Sequence, residues 1–477
     1  MLFSSIVFLF YFLPAVLAMY YLFRKWVPVK NGILLAASLF FYAWGEPRFV
    51  WLMLVSAAVN YLLALTADLF RGRTAAKWVP ALAAVWNMGL LYVFKYLDFF
   101  IRNLAAVTGT DLRVTNLALP IGISFFSFQA LSYVADVCRG QSRVQKNPFY
   151  VALYIVFFPQ MIAGPIVRYS TFEGQIRERR ETWDKFSVGV CRFIAGLGKK
   201  VLLADTFAVA ADRIFDGYGQ AGMPAALAWV GAAAFTMQIF FDFSGYSDMA
   251  VGLGLMFGFK FEENFNYPYI ARSVGEFWRR WHISLSVWFK EYVYFPLGGS
   301  KVKNMDLVIR NIMVVWLCTG LWHGAEWTFV IWGMLNFLFL VMERFIGLER
   351  KEGYGVLRWC YTMFAVNLGW VIFRSENLIG AGNYIRCMFG LGGNGFFSDY
   401  AWMYLREYGI FFIIGAFFCV PIGRRCNYLI INNIMLRGKI SRALADVCYP
   451  AMMMGVFLLC ITYLVKGSYH PFIYFNF

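Results

Sequence analysis

The sequence has 477 residues, of which 61% are hydrophobic and 15% charged, with a formal net charge of +16. Soluble proteins are about 45–50% apolar and about 25% charged, so this composition excludes a soluble globular fold and indicates a polytopic membrane protein. The 51 Phe, 28 Tyr and 17 Trp suit a bilayer, where Trp and Tyr settle at both headgroup levels. Basic charge held in short loops speaks for topology and contact with anionic membrane lipids rather than for nucleic acid. Nine cysteines with no CxxC pair read as small buried hydrophobes and indicate neither a disulfide framework nor a metal site.

A helix crossing the hydrocarbon core needs about 20 apolar residues. Candidate spans cover residues 2–23, 31–44, 49–69, 79–100, 117–136, 149–165, 187–209 and 225–256, then 308–322, 325–346, 357–373, 403–422 and 447–466. The first has no basic stretch before its apolar run and is followed by Arg24 and Lys25, so it reads as a retained helix. The expected architecture is one all-α membrane domain over residues 1–477 with about 11–13 spans, 12 being the preferred count. Segments that are short or carry Pro and Gly are expected to be tilted, broken or re-entrant. The first connection holds Arg24, Lys25 and Lys30 without an acid, and the third holds Arg71, Arg73 and Lys77. Near the far end Arg424, Arg425, Arg437, Lys439 and Arg442 face only Asp446. Positive-inside logic places these loops in the cytoplasm, both termini outside, and the tail 467–477 facing outward.

Two stretches break the apolar pattern, the mixed polar loop 257–266 and the segment 276–300. In the second, Trp278, Trp281, Leu285, Trp288 and Phe289 recur at three- and four-residue spacing, with Arg279, Arg280, Lys290 and Glu291 supplying the polar part. This predicts one amphipathic helix, either lying at the interface or dipping into a polar interior. Pro296 and Gly298–Gly299 end it.

The chain has three histidines. His323 lies between two apolar segments beside Gly320 and Gly324, which admit close approach of another element. An ionisable residue at that depth is a functional candidate, and histidine takes a proton from a hydroxyl near neutral pH. His282 sits in the more charged segment, and His470 falls in the tail. Asp242 and Asp248, in an apolar setting, are candidates for orienting a histidine, lining an ion path, or pairing with Arg279 or Arg280. On hydropathy alone, an enzyme and a transporter or flippase for an envelope component stand level.

Four motifs break that tie: ISFFSFQALSYVADVCRG at 123–140, FFPQMIAGPIVRY at 157–169, EFWRRWHISLSVWFKEYVYFPLGG at 276–299 and TGLWHGAEWTFVIWG at 319–333. Together with MLFSSIVFLFYFLP at the start and FYAWGEP at 41–47, they resemble the membrane-bound O-acyltransferase (MBOAT) family, in its bacterial alginate O-acetyltransferase-like subgroup. The resemblance implies a ring of helices around a thinned, re-entrant centre in the bacterial inner membrane. It implies acetyl-CoA as the cytoplasmic donor and an exported polysaccharide or peptidoglycan as the final acceptor. It also implies a periplasmic SGNH-hydrolase-like protein that completes the transfer. The family's invariant histidine falls on His323 and its second catalytic-region residue on His282. The sequence departs from the subgroup at Lys290-Glu291-Tyr292, usually Arg-Asp-Tyr, and at Asn336, often a histidine.

These motifs give a set of expectations for the site. His323 is the expected general base, and His282, Arg279 or a backbone N–H the expected oxyanion donors. Lys199, Lys200, Arg279, Arg280 and Lys290 are the expected cations at a CoA entrance. The aromatic tail YHPFIYFNF resembles the terminal signature of the subgroup, and Tyr474 is a candidate acyl relay that His323 would deprotonate.

Overall fold

The computed structural model describes residues 1–217, 222–348, 353–422, 439–467 and 472. The described residues contain helices and no β-strand. In chain order the helices are α1 (Leu13–Leu22), α2 (Val27–Gly45), α3 (Val50–Leu69), α4 (Val79–Leu91), α5 (Leu97–Thr108) and α6 (Ile123–Cys138). Then come α7 (Pro148–Val156), α8 (Phe158–Met161), α9 (Tyr169–Arg177), α10 (Trp183–Gly198), α11 (Asp205–Gly217), α12 (Ala225–Met256), α13 (Val274–Arg280) and α14 (Ile283–Phe289). The last six are α15 (Met305–His323), α16 (Trp327–Ile346), α17 (Gly355–Arg374), α18 (Leu378–Met388), α19 (Asp399–Cys419) and α20 (Lys439–Val465).

Eight helices among the described residues are long and apolar enough to cross a membrane: α2, α3, α12, α15, α16, α17, α19 and Val447–Val465 of α20. The chain is an all-α multi-pass membrane protein, and among the described residues eight of the about 11–13 expected spans are long uninterrupted helices. Several of the other expected spans are interrupted. A π-helical turn, Phe8–Phe12, precedes α1, another at Tyr92–Tyr96 separates α4 from α5, and a third at Lys199–Ala204 separates α10 from α11. The expected span 149–165 ends as a helix at Val156, and only the four-residue α8 follows.

The chain divides into two compact units, Met1–Phe193 with Tyr246–Glu262, and Ile194–Gly245 with Glu263–Phe477. In the first, α6 packs on α3 and α4, and α2 packs on α7. Phe3, Phe8, Phe41 and Phe158 form one ring cluster, with centroids 5.0–6.4 Å apart. A polar knot pins the segment after α9 to α1 and α2. Glu181 accepts from Tyr20 Oη at 2.6 Å and Lys30 Nζ at 2.7 Å, and Arg179 Nη1 donates to Asn31 Oδ1 at 2.7 Å. Burial pushes the Glu181 carboxyl up, but the Lys30 and Tyr20 hydrogen bonds outweigh it and hold the group below its ordinary range.

The second unit holds both described histidines. Its centre is the antiparallel pair α15 and α16, joined by three residues, with α17 and α13 packed on α16. In a bilayer, tight packing of small residues replaces the hydrophobic effect as the force between helices. Here Gly320 and Gly333 meet that need. A Cβ added to Gly320 would lie 2.5 Å from the Phe329 carbonyl oxygen, and one on Gly333 2.5 Å from that of Trp316.

Candidate active site

The segment expected to be one amphipathic helix is two short ones, α13 and α14, followed by a π-helical turn at Lys290–Tyr294. The start of α13 is capped twice. Ser273 Oγ accepts the Glu276 N–H at 2.9 Å, and the Glu343 carboxylate of α16 accepts from Val274 N–H at 2.6 Å and Gly275 N–H at 3.0 Å. These bonds satisfy N–H groups that a helix leaves open at its start. The break falls at His282, which is left-handed (φ 45°, ψ 54°); such a conformation costs a non-glycine residue about 1 kcal/mol or more. The apolar spacing nevertheless marks the inward side, since Trp281, Leu285, Trp288 and Phe289 are buried while Arg279 and Lys290 are exposed.

A cavity of about 910 Å³ lies among α13, α14, the π turn, α15 and α16. Along α15 its wall includes Met305, Ile312, Trp316, Thr319 and His323. At about 1.5 Å per residue, Met305 and His323 stand about 27 Å apart along the axis. Because α16 returns antiparallel, Arg344 and Gly347 lie at the Met305 end of that wall. Arg279 and Lys290 also face the cavity. The oxygens of Glu343, its one wall carboxylate, are engaged by the α13 N–H groups. The cavity is thus cationic along part of its length and has an imidazole at one end.

His323 is buried at the last turn of α15, with its ring centroid 4.9 Å from Trp322, 5.0 Å from Trp332 and 5.2 Å from Phe373. His282 is buried edge-on to Phe243 at 4.7 Å and 5.9 Å from Trp322. Trp322 therefore neighbours both imidazoles, which line the same cavity. Burial pushes the His282 imidazole down to about 3, so this ring is neutral at pH 7. Asn336, where relatives often carry histidine, accepts the Trp278 indole N–H at 2.9 Å and donates to Trp332 O at 2.9 Å. It serves as a brace between α13 and α16.

Not every residue singled out from the sequence reaches this place. Arg279 and Lys290 line the cavity, whereas Lys199, Lys200 and Arg280 are not among its wall residues. Lys200 is buried between two carboxylates, 2.7 Å from Asp205 and 2.8 Å from Asp242. Arg280 pairs with Glu276 at 2.9 Å. Of the two aspartates offered as orienting a histidine, lining an ion path or pairing with Arg279 or Arg280, Asp242 lies 2.8 Å from Lys200 and Asp248 2.6 Å from Arg192. Tyr474 and His470 lie outside the described residues. Sequence reasoning passed over Arg344 and Asn264. Arg344 was within reach, because a three-residue connection between two helices of similar length returns it to the level of Met305. Asn264 had no comparable signal; it stood in a polar loop, and only the tertiary fold brings it to His282.

Residues 39–374 match the membrane-bound O-acyltransferase family, a stretch that contains both site histidines and all of the cavity wall. The chain belongs to the membrane-bound O-acyltransferase family. It is 39% identical to a probable alginate O-acetylase of Pseudomonas putida over the whole of both chains. It is 44% identical to the corresponding protein of Pseudomonas syringae pv. tomato, over 82% of this chain and 76% of that one. A peptidoglycan O-acetyltransferase of Helicobacter pylori is 36% identical over 82% of this chain and 80% of the relative. As a membrane-bound O-acyltransferase, the protein is an enzyme, and the transporter reading gives way. For an O-acyltransferase the cavity offers a long slot, cations along it, and the imidazole of His323 at its end.

Proposed function

We propose that this O-acyltransferase takes an acetyl group from cytoplasmic acetyl-CoA and delivers it toward hydroxyls of an exported polysaccharide or of peptidoglycan outside the inner membrane. The observation that carries this reading is the cavity running along a membrane-length helix from Arg344 to His323. The CoA phosphates would lie by Arg344, Arg279 and Lys290, with the thioester reaching toward His323. His323 removes the proton of the acceptor hydroxyl as its oxygen bonds to the thioester carbonyl carbon. The C–S bond then breaks, and the imidazolium returns the proton to the departing thiolate. The names of the relatives support the acceptor class. In this reading both termini are periplasmic, and a periplasmic SGNH-hydrolase-like partner completes the transfer.

Tyr474 is the proposed first acceptor. Phe472, two residues earlier, is buried 6.1 Å from Phe243, the ring that packs on His282; this position of Phe472 supports the relay over a headgroup anchor. A phenol has a pKa near 10, so its attack needs a base, which His323 supplies. Mass spectrometry of the C-terminal peptide, with acetyl-CoA present and the partner absent, should show an acetyl group on Tyr474. The adduct should vanish in a His323 variant. Full polymer acetylation by Tyr474→Phe would end the relay.

The donor end has its own test. Arg279→Glu and Lys290→Glu should each raise the acetyl-CoA KM about tenfold at low salt, and the difference should shrink as salt shortens the Debye length. Lys185→Glu, on α10 and off the cavity wall, should leave KM unchanged. An unchanged KM in both cavity variants would move the CoA site elsewhere.

A further inference from the structure

The helix α14 begins in a conformation that cannot cap itself. An ordinary N-cap residue is extended and turns a side-chain oxygen onto the first N–H groups. His282 is left-handed and has no such oxygen. Asn264 does the capping from across the fold. Its main-chain oxygen accepts the Ile283 N–H at 3.0 Å. Its side-chain Oδ1 accepts the Ser284 N–H at 3.1 Å and the Ser284 hydroxyl at 2.9 Å, and lies 3.2 Å from His282 Nδ1. All three side chains are buried, Asn264 being 1% exposed, His282 2% and Ser284 5%.

The main-chain donor settles the chemistry of the cluster. An asparagine amide can be turned so that its oxygen and nitrogen exchange places. Only the oxygen, however, can receive the Ser284 backbone N–H. With the oxygen fixed there, the atom facing His282 Nδ1 is an acceptor, and Nδ1 must carry the proton. In a neutral imidazole the lone pair then belongs to Nε2.

We propose that Asn264 is a positioning residue that locks His282 in the Nδ1–H tautomer, so that Nε2 accepts from an O–H or N–H group of the ligand in the cavity. His282 is then no donor to the oxyanion, and that role passes to other N–H groups. The statement about the oxyanion rests on the acyl-transfer reading above; the tautomer does not.

The test exploits the small number of histidines, three in the chain. The full-length protein, ¹⁵N-labelled at histidine and held in lipid nanodiscs, gives few ring-nitrogen resonances, assigned with His282→Gln and His470→Gln. At pH 7 His282 should show a protonated Nδ1 and an unprotonated Nε2. Asn264→Leu keeps the shape and removes the acceptor; it should lose this preference and lower kcat at least about tenfold, as a wrong tautomer does, with acetyl-CoA KM changed less than about twofold. Asn264→Asp keeps the oxygen and should keep both the tautomer and most of kcat. A wild-type His282 protonated at Nε2, or an Asn264→Leu spectrum identical to wild type, overturns the proposal. If the leucine variant does not fold, the wild-type and aspartate spectra decide. Failure of the acyl-transfer reading would change none of these resonances, so the two outcomes are separable.

Discussion

Replacing His323 with alanine is expected to lower acyl transfer by about three orders of magnitude while leaving folded protein in the membrane. A positioned general base contributes about 10²–10⁴ in rate, and His282, though in the same cavity, packs on Phe243 and not in the Trp332–Phe373 setting of His323. The imidazole makes edge contacts with Trp322, Trp332 and Phe373, so alanine leaves a small void. His323→Gln keeps most of that volume without a titratable ring, and the same loss in both variants would separate chemistry from packing. Acetyl-CoA-dependent thiol release and acetylation of an acceptor phenol or sugar, measured on purified protein, provide the readout. Transfer near the wild-type rate in either variant would remove His323 from the role of base.

Gly320→Val should be the most damaging substitution away from the reacting groups. The first atom added would lie 2.5 Å from the Phe329 carbonyl oxygen, a backbone atom that no rotamer change can move aside. Overpacking of this kind costs about 1–3 kcal/mol or more, and it forces α15 from α16 at the turn that carries His323. A thermal midpoint lowered by several degrees and at least about a tenfold loss of transfer are expected. Gly382→Ala, on α18 with nothing within 4 Å of the new carbon, should be neutral or slightly stabilising. Equal melting of the two variants would show that the close approach of the hairpin is dispensable.

The sequence carried the membrane class, the helical content and the buried setting of His323 beside the cavity, because desolvating an ionisable group is costly enough to single out a histidine between two apolar segments. The inward side of 276–300 was legible for the same reason: Trp281, Leu285, Trp288 and Phe289 follow helical spacing and are buried. The break in that segment was not legible. Periodicity runs through it unchanged, and His282 departs from the helical region by one pair of dihedral angles that neither propensity nor hydropathy encodes. Charge was the least reliable guide. Lys200 looked like a ligand-facing cation, yet Asp242, 42 positions along the chain, folds onto it at 2.8 Å. Asn264 stood in a stretch rich in acids and phenylalanine, where nothing local distinguished it from a solvated loop residue.

A cavity whose wall follows about 27 Å of a bilayer-length helix is most of a channel, and a cell cannot tolerate an unplugged one. Behind His323 stand Trp332, Trp370 and Phe373, ring against ring at 5.2–6.2 Å and outside the cavity wall. Trp278 and Trp316 close ranks with Trp332 at 5.5 and 5.9 Å. These indoles do for the membrane what a stopper does for a flask. With the donor placed as proposed, the pantetheine arm would reach far into the insulating layer while sodium ions and protons would meet an aromatic wall, so that electrical tightness and deep access would coexist.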